Sequence, residues 1–204
     1  MKKIVFINIP MKERVEKTVY QGECQGQEEN KAVCFPVNLI LPGEIKKEDQ
    51  VKIVLLVKKD PEENYKKNIS LCVEEVLDSI GKINGNMEFK ILDTDFSQEE
   101  EIHDELLLRI VEELEVGARI IGDITYGPKD LPIILFTALN FAEKFYGADI
   151  GNLVYGQADF KDGKPYNTKL CDMIPLYYLN SITNTVDCNS PEKAKEMLKP
   201  LLSI

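Results

Sequence analysis

Short apolar runs alternate along this chain with longer segments in which apolar residues return every three or four positions, and few folds accommodate that alternation. A run that is apolar throughout has both faces covered, so it belongs inside a mainly parallel sheet with helices packed on each side. Short, predominantly apolar runs fall at residues 3–9, 32–41, 51–57, 87–92, 118–124 and 152–157, that at 51–57 uninterrupted by polar residues after Lys52. Pro36 places the second at an edge or a bulge, because proline cannot donate to a ladder. The fold class that follows is α/β: a Rossmann-like, mainly parallel sheet flanked by helices, with an edge hairpin and short C-terminal helices.

The helical segments carry their own signals. Over 62–80, Tyr65, Ile69, Cys72, Val73, Val76, Leu77 and Ile80 form one face, and Gly81 is placed to end it. Ser97-Gln98-Glu99-Glu100 reads as a capping box ahead of a stripe of Ile102, Leu106, Ile110 and Leu114. Residues 131–145 are apolar on nearly every side, which predicts cover by the sheet and by a second subunit. Two short helices are expected near 174–184 and over 191–202, the second capped by Ser190 with Pro191 at its first position. The polar residues 12–31 predict a loop or lid-like excursion, and 160–169 a polar turn region. Residues 1–204 read as one domain.

Composition narrows the partners. Lys and Arg number 25 against 35 Asp and Glu, a net charge of −10. Sequence-independent affinity for nucleic acid comes from cationic side chains displacing counterions, so DNA or long RNA is not an expected partner. A small nucleotide held by a few local donors remains compatible. No run approaches the roughly 18 apolar residues of a membrane span, and the first run stops at Pro10, too short for a secretory signal. The five cysteines, Cys24, Cys34, Cys72, Cys171 and Cys188, are odd in number and include no CxxC pair. Neither structural zinc nor a disulfide framework is expected from them, and a cytoplasmic location follows. No cofactor is called for.

Open α/β sheets bind ligands outside the carboxyl ends of their strands. Asp123-Ile124-Thr125-Tyr126-Gly127-Pro128-Lys129-Asp130-Leu131-Pro132 stands at such a place. Gly127 permits a turn or a close approach, Asp130 is suited to cap the following helix, and Pro132 falls in its first turn. Free N–H groups at that helix start suit phosphate, with Lys129 adding charge and Thr125 and Tyr126 adding hydroxyls. A plain strand-to-helix connection accounts for the same residues equally well, since the string is neither a P-loop nor a GxGxxG fingerprint. By topology, Asn8, Pro10, Met11 and Lys12 after the first strand form the second wall. Thr94 and Asp95 occupy an equivalent strand end, as do Tyr155, Gly156 and Gln157, the last able to read adenine through its amide.

The string from Asp123 to Pro132, followed by an apolar helix and Val154-Tyr155-Gly156, resembles CARF domains, the CRISPR-associated Rossmann-fold sensors. It is similar to the branch with a D-I-T-H-G-x-R-x-L-P signature, and Asp172-Met173-Ile174-Pro175-Leu176 is similar to that branch's D-x-x-P-L element. The resemblance implies a homodimer that binds a cyclic oligoadenylate, cyclic tetra-adenylate favoured, across its two-fold axis in type III CRISPR antiviral signalling. By position Lys129 matches the signature's basic residue and Tyr126 its usual His.

Several readings stay open at this point. The chain is a stand-alone sensor, a metal-independent ring nuclease that cleaves its messenger through 2′-hydroxyl attack, or the sensor half of a larger effector. If it cleaves, Lys129, Tyr126 and Thr125 are the candidate catalytic residues. Outside this class, a Rossmann-like enzyme binding a mononucleotide is the rival. His103, the one histidine, sits on an acidic helix beside Asp104 and reads as an exposed surface residue.

Overall fold

A computed structural model describes residues 1–22, 24, 26–185, 187–188 and 190–202, the side chain of residue 201 excepted. The chain begins with β1 (Lys2–Asn8) and passes through the two-residue strands β2 (Thr18–Val19) and β3 (Ala32–Val33). A 3-10 turn (Pro36–Leu39) and α1 (Leu41–Glu44) lead into β4 (Gln50–Lys59), α2 (Asn64–Ile80) and β5 (Met87–Asp95). Then come α3 (Glu100–Glu112), β6 (Arg119–Asp123), α4 (Asp130–Tyr146), β7 (Asp149–Lys161) and β8 (Lys164–Asp172). The helices α5 (Ile174–Thr185) and α6 (Pro191–Leu198) follow, and Ser190 caps α6 as its sequence suggests.

The main sheet has the order β5-β4-β1-β6-β7-β8. Every neighbouring pair is parallel except β7 with β8. β1 and β4 are buried on both faces because both alternating sets of side chains are apolar. Val5, Ile7, Ile53 and Leu55 face a layer that includes Cys72, Val76 and Ile80 of α2. Ile4, Phe6, Val54 and Leu56 face the opposite layer, with Leu106 and Ile110 of α3 and Leu135 and Leu139 of α4. This is the α/β, Rossmann-like arrangement that the apolar runs predict.

Three local expectations change. Residues 32–41 are not one strand: after β3 the chain curls into the 3-10 turn and α1. Their apolar side chains are buried by α2 and the sheet, and Pro36 and Pro42 favour helical first turns over a ladder. Residues 160–169 are not a polar turn region but the tip of the β7–β8 hairpin. Its turn is Asp162-Gly163, both at positive φ, 51° and 75°. The capping box does not form. Glu99 occupies the cap of α3 without a side-chain bond, and the Ser97 hydroxyl accepts from the Glu99 N–H at 3.2 Å.

The described residues of 12–31 are irregular outside β2, yet tied down. β2 pairs antiparallel with β3, and Gln21 bridges Lys169 of β8. The Thr168 hydroxyl donates to the Val19 carbonyl at 2.6 Å. The segment is thus a strap laid along the far edge of the sheet. No helix among the described residues is long and apolar enough to cross a membrane.

Candidate functional site

Sheet order reverses between β1 and β6, and doubly wound sheets take ligands in the crevice outside the carboxyl ends at such a reversal. The loop after β6 is built largely from inward-directed bonds. Asp123 is buried, with one carboxylate oxygen accepting from the Thr125 N–H and the other from the Val37 N–H, each at 2.9 Å. Burial raises its pKa above the usual carboxylate range, and those N–H donors oppose the shift. The Thr125 hydroxyl accepts from the Gly156 N–H at 2.8 Å, stitching the loop to β7. Tyr126 donates its hydroxyl to the Cys34 carbonyl at 2.8 Å and meets Phe35 edge-on, centroids 5.8 Å apart. Gly127 adopts φ +86°, and a Cβ there would lie 2.6 Å from a methyl of buried Leu131.

Beside this loop lies a cleft of about 340 Å³. Thr125 and Tyr126 form its floor, Tyr155 and Gly156 of β7 one wall, and Lys12, Arg14, Glu16 and Tyr20 of the strap another; Phe160 closes it from the hairpin. Five of the expected residues therefore meet here: Lys12, Thr125, Tyr126, Tyr155 and Gly156. Lys12 is the central cation. Its ammonium lies 4.9 Å from the Tyr126 ring centroid and 5.7 Å from that of Phe160. Although exposed, it is crowded enough that desolvation lowers its pKa, with Glu16 pulling the other way. An ammonium between aromatic faces offers a charge for phosphate and flat surfaces for a base.

The other expected residues are placed differently. Lys129 is exposed outside the lining of the cleft and stands at the cap of α4 with no side-chain bond. Pro128 accepts from the Leu131 N–H at 3.2 Å. The carbonyls of Pro10 and Lys12 accept from Asn68 at 2.8 and 2.9 Å, which fixes the turn that also contains half-buried Met11. Asn8 is 1% exposed beneath Gly127, and among the described residues neither its amide oxygen nor its amide nitrogen has a partner. Thr94 is buried at the end of β5, two strands from β1, and exposed Asp95 pairs with Lys59 at 3.5 Å. Gln157 accepts from the Cys171 thiol at 3.8 Å and is not in the cleft lining. Tyr155, Gly156 and Gln157 are not a strand end: β7 continues to Lys161, but they stand level with the end of β6, since Asp123 pairs with Val154.

Asp130 and His103 stand otherwise than their sequence suggests. Asp130 does not cap α4; it is the first helical residue, and its carboxylate lies 3.2 Å from the ammonium of fully buried Lys58. His103 is not a free surface residue. It is 32% exposed and its Nε2 approaches the same Asp130 oxygen at 3.3 Å. A cation two strands away recruits the acid, and sequence spacing alone does not show it.

The sequence reading misses Arg14, Tyr20 and Phe160. The signal for Phe160 was present: Asp162-Gly163 between extended flanks is a strong hairpin marker, and it brings Phe160 back over the sheet edge. Chemically, the cleft's phenols are donors rather than bases. Burial pushes Tyr20 up to about 12 and raises Tyr126 further, so both stay protonated at neutral pH. No family model matches the chain, and no curated protein matches it.

A larger groove, about 840 Å³, runs between α4 and α5 past Pro132, Ile133 and Phe136. It is mainly an apolar surface, continuous with exposed Ile133 (68%) on the outer face of α4.

Proposed function

We propose that the chain binds a cyclic oligoadenylate, with cyclic tetra-adenylate favoured, between two copies related by a two-fold axis, in type III CRISPR antiviral signalling. The observation that carries this reading is the meeting of Lys12, Thr125, Tyr126, Tyr155 and Gly156 from three separate segments in one cleft beside the reversal of strand order. Lys12 supplies charge for a phosphodiester. Tyr155 and Phe160 offer faces for adenine. The loop amides around Gly127, beside the start of α4, add donors.

The outer face of α4 supports a second copy. Ile133 and Phe145 (62% exposed) present apolar area on a chain that is otherwise strongly acidic. An isologous pair would present the same donors to both halves of a symmetric ring. The ring-nuclease form of this reading relies on alignment of the ligand's own 2′-hydroxyl, because the phenols of the cleft are held protonated. Lys12 then joins Lys129 as a group that would stabilise developing charge.

A second reading has its own support. A cleft of about 340 Å³ matches one nucleotide per chain, at the small end of ligand sites. Isothermal titration with cyclic tetra-adenylate, cyclic hexa-adenylate, AMP and ATP separates the two. One ring bound per two chains is expected; tighter binding of AMP or ATP, one per chain, would replace the sensor reading with the mononucleotide one. Product analysis after long incubation reports whether the ring is cut.

A further inference from the structure

Below the start of α4 lies a buried polar group that the cleft does not use. On β1 and β4 the side chains facing α3 and α4 run Ile4, Phe6, Asn8 and Val54, Leu56, Lys58, so each strand ends that face on a polar residue. Lys58 donates to the Ser97 carbonyl at 3.4 Å and pairs with Asp130 at 3.2 Å. From α3, His103 approaches the Asp130 oxygen that Lys58 also approaches, and among the described residues neither carboxylate oxygen of Asp130 has a hydrogen bond of good geometry. The carboxylate is therefore short of donors, with an imidazole beside it. Asp130 stands three residues after Gly127 and four after Tyr126. Whatever fixes Asp130 fixes the start of α4 and the free end of the ligand loop, whose other end is already pinned through Asp123.

We propose that Asp130 and His103 are positioning residues for the cleft, with protonated His103 adding a second charged hold on the Asp130 carboxylate that locks the loop and strengthens its grip on an anionic ligand. This rests on the function just proposed and adds its regulation. Around the imidazole, the Lys58 ammonium shares the Asp130 oxygen and opposes a second positive charge there, while the exposed acids of α3 favour one. Glu99 at the cap of α3 and Glu100, Glu101, Asp104 and Glu105 on it are exposed, and Arg109 bonds the Asp93 carbonyl. At the strand ends, Lys59 is paired with Asp93 at 2.9 Å and Asp95 at 3.5 Å. On α4, Lys129 precedes Asp130 and points to solvent. Among the described residues, that leaves Asp130 as the carboxylate within ion-pair reach of the imidazole.

The sign follows. Holding the proton favours the locked loop, so affinity is greater where His103 is charged and lower where it is neutral. The sequence contains a single histidine, and the phosphodiesters of the ring keep their charge over this interval. The α-amino group is tied to Asp49 at 3.1 Å at the amino-terminal end of the central strands, the end opposite the cleft.

The test compares the full chain with His103→Gln, which keeps a donor but cannot charge. Affinity for cyclic tetra-adenylate is measured at about pH 5.5 and about pH 8, on either side of histidine's range. Amide exchange across 131–136 is read in the two proteins at matched pH, without ligand. The expected wild-type gain at the acid pH is about two- to fivefold, the size of a partly exposed ion pair, and it vanishes in His103→Gln. Exchange in wild type is expected to be slower than in the variant at the acid pH and equal at the alkaline pH. A variant that keeps the affinity gain, or identical exchange at both pH values, overturns the positioning role even if the ring binds well. Failure of wild type to bind the ring at either pH, with the exchange difference intact, overturns the functional reading and leaves the hold on Asp130 standing.

Discussion

Lys12→Ala separates binding from folding more cleanly than any other change in the cleft. The Lys12 side chain is exposed, and its contacts are the faces of Tyr126 and Phe160 at 4.9 and 5.7 Å. A cation–π contact at an exposed site is worth about 0.5–1 kcal/mol, so the melting temperature should move by a few degrees at most. Against a phosphodiester the same ammonium makes a charge-assisted bond from a partly desolvated position, and its removal should weaken binding by about 1.5–3 kcal/mol. That is a loss of about 10- to 150-fold in affinity at 25 °C. Titration calorimetry with cyclic tetra-adenylate at low salt, beside a thermal melt, gives both numbers. The lowered pKa adds a second signature. Wild-type affinity should begin to fall with rising pH before an ordinary lysine would lose its proton, and Lys12→Arg should abolish that decline. A folded Lys12→Ala protein that binds within twofold of wild type would refute the reasoning, and would return the cationic role to Lys129.

Further changes probe the frame around the cleft. Gly156→Ala would set a Cβ 2.5 Å from Pro36 and 2.9 Å from the Tyr20 ring, both rigid, and should cost about 1–3 kcal/mol in urea unfolding. Asp123→Asn should loosen the loop by replacing one of two buried acceptors with a donor facing an N–H. Because the folded-state pKa of Asp123 is raised, its charge is least favourable above that value. Wild type should therefore gain stability relative to Asp123→Asn as the pH falls through the folded value toward the unfolded one, as measured by unfolding at stepped pH. Ile133→Glu on the exposed outer face of α4 should leave the melt unchanged and weaken self-association in sedimentation. A wild-type chain that sediments as a monomer at every concentration removes the two-copy reading.

Strands buried on both faces were legible because runs such as residues 3–9 and 51–57 are short and rich in Val and Ile, as covered strands are. The hairpin strand β8 was not, because one side of an antiparallel edge strand faces solvent and its side chains are largely polar. The run 32–41 misleads for the opposite reason. It is almost wholly apolar and, from Val33 on, buried, and such a run does not distinguish a strand from short helical turns wrapped by other elements. At the site, the loop after β6 was located by its Gly, Pro and Lys, but the direction of its side chains was not. Tyr126 turns inward to Cys34, Lys129 outward to solvent, and the cation in the cleft comes from Lys12 on another segment. The Lys58–Asp130–His103 group joins three elements distant in sequence, and no local pattern announces it.

A structure of the protein with cyclic tetra-adenylate tests the central claim most directly. The account predicts one ring shared by two chains, with phosphate oxygens in hydrogen-bond reach of Lys12 and of the amides around Gly127 in each. A ring seated in the groove between α4 and α5, or held by one chain with Lys12 facing solvent, would contradict it.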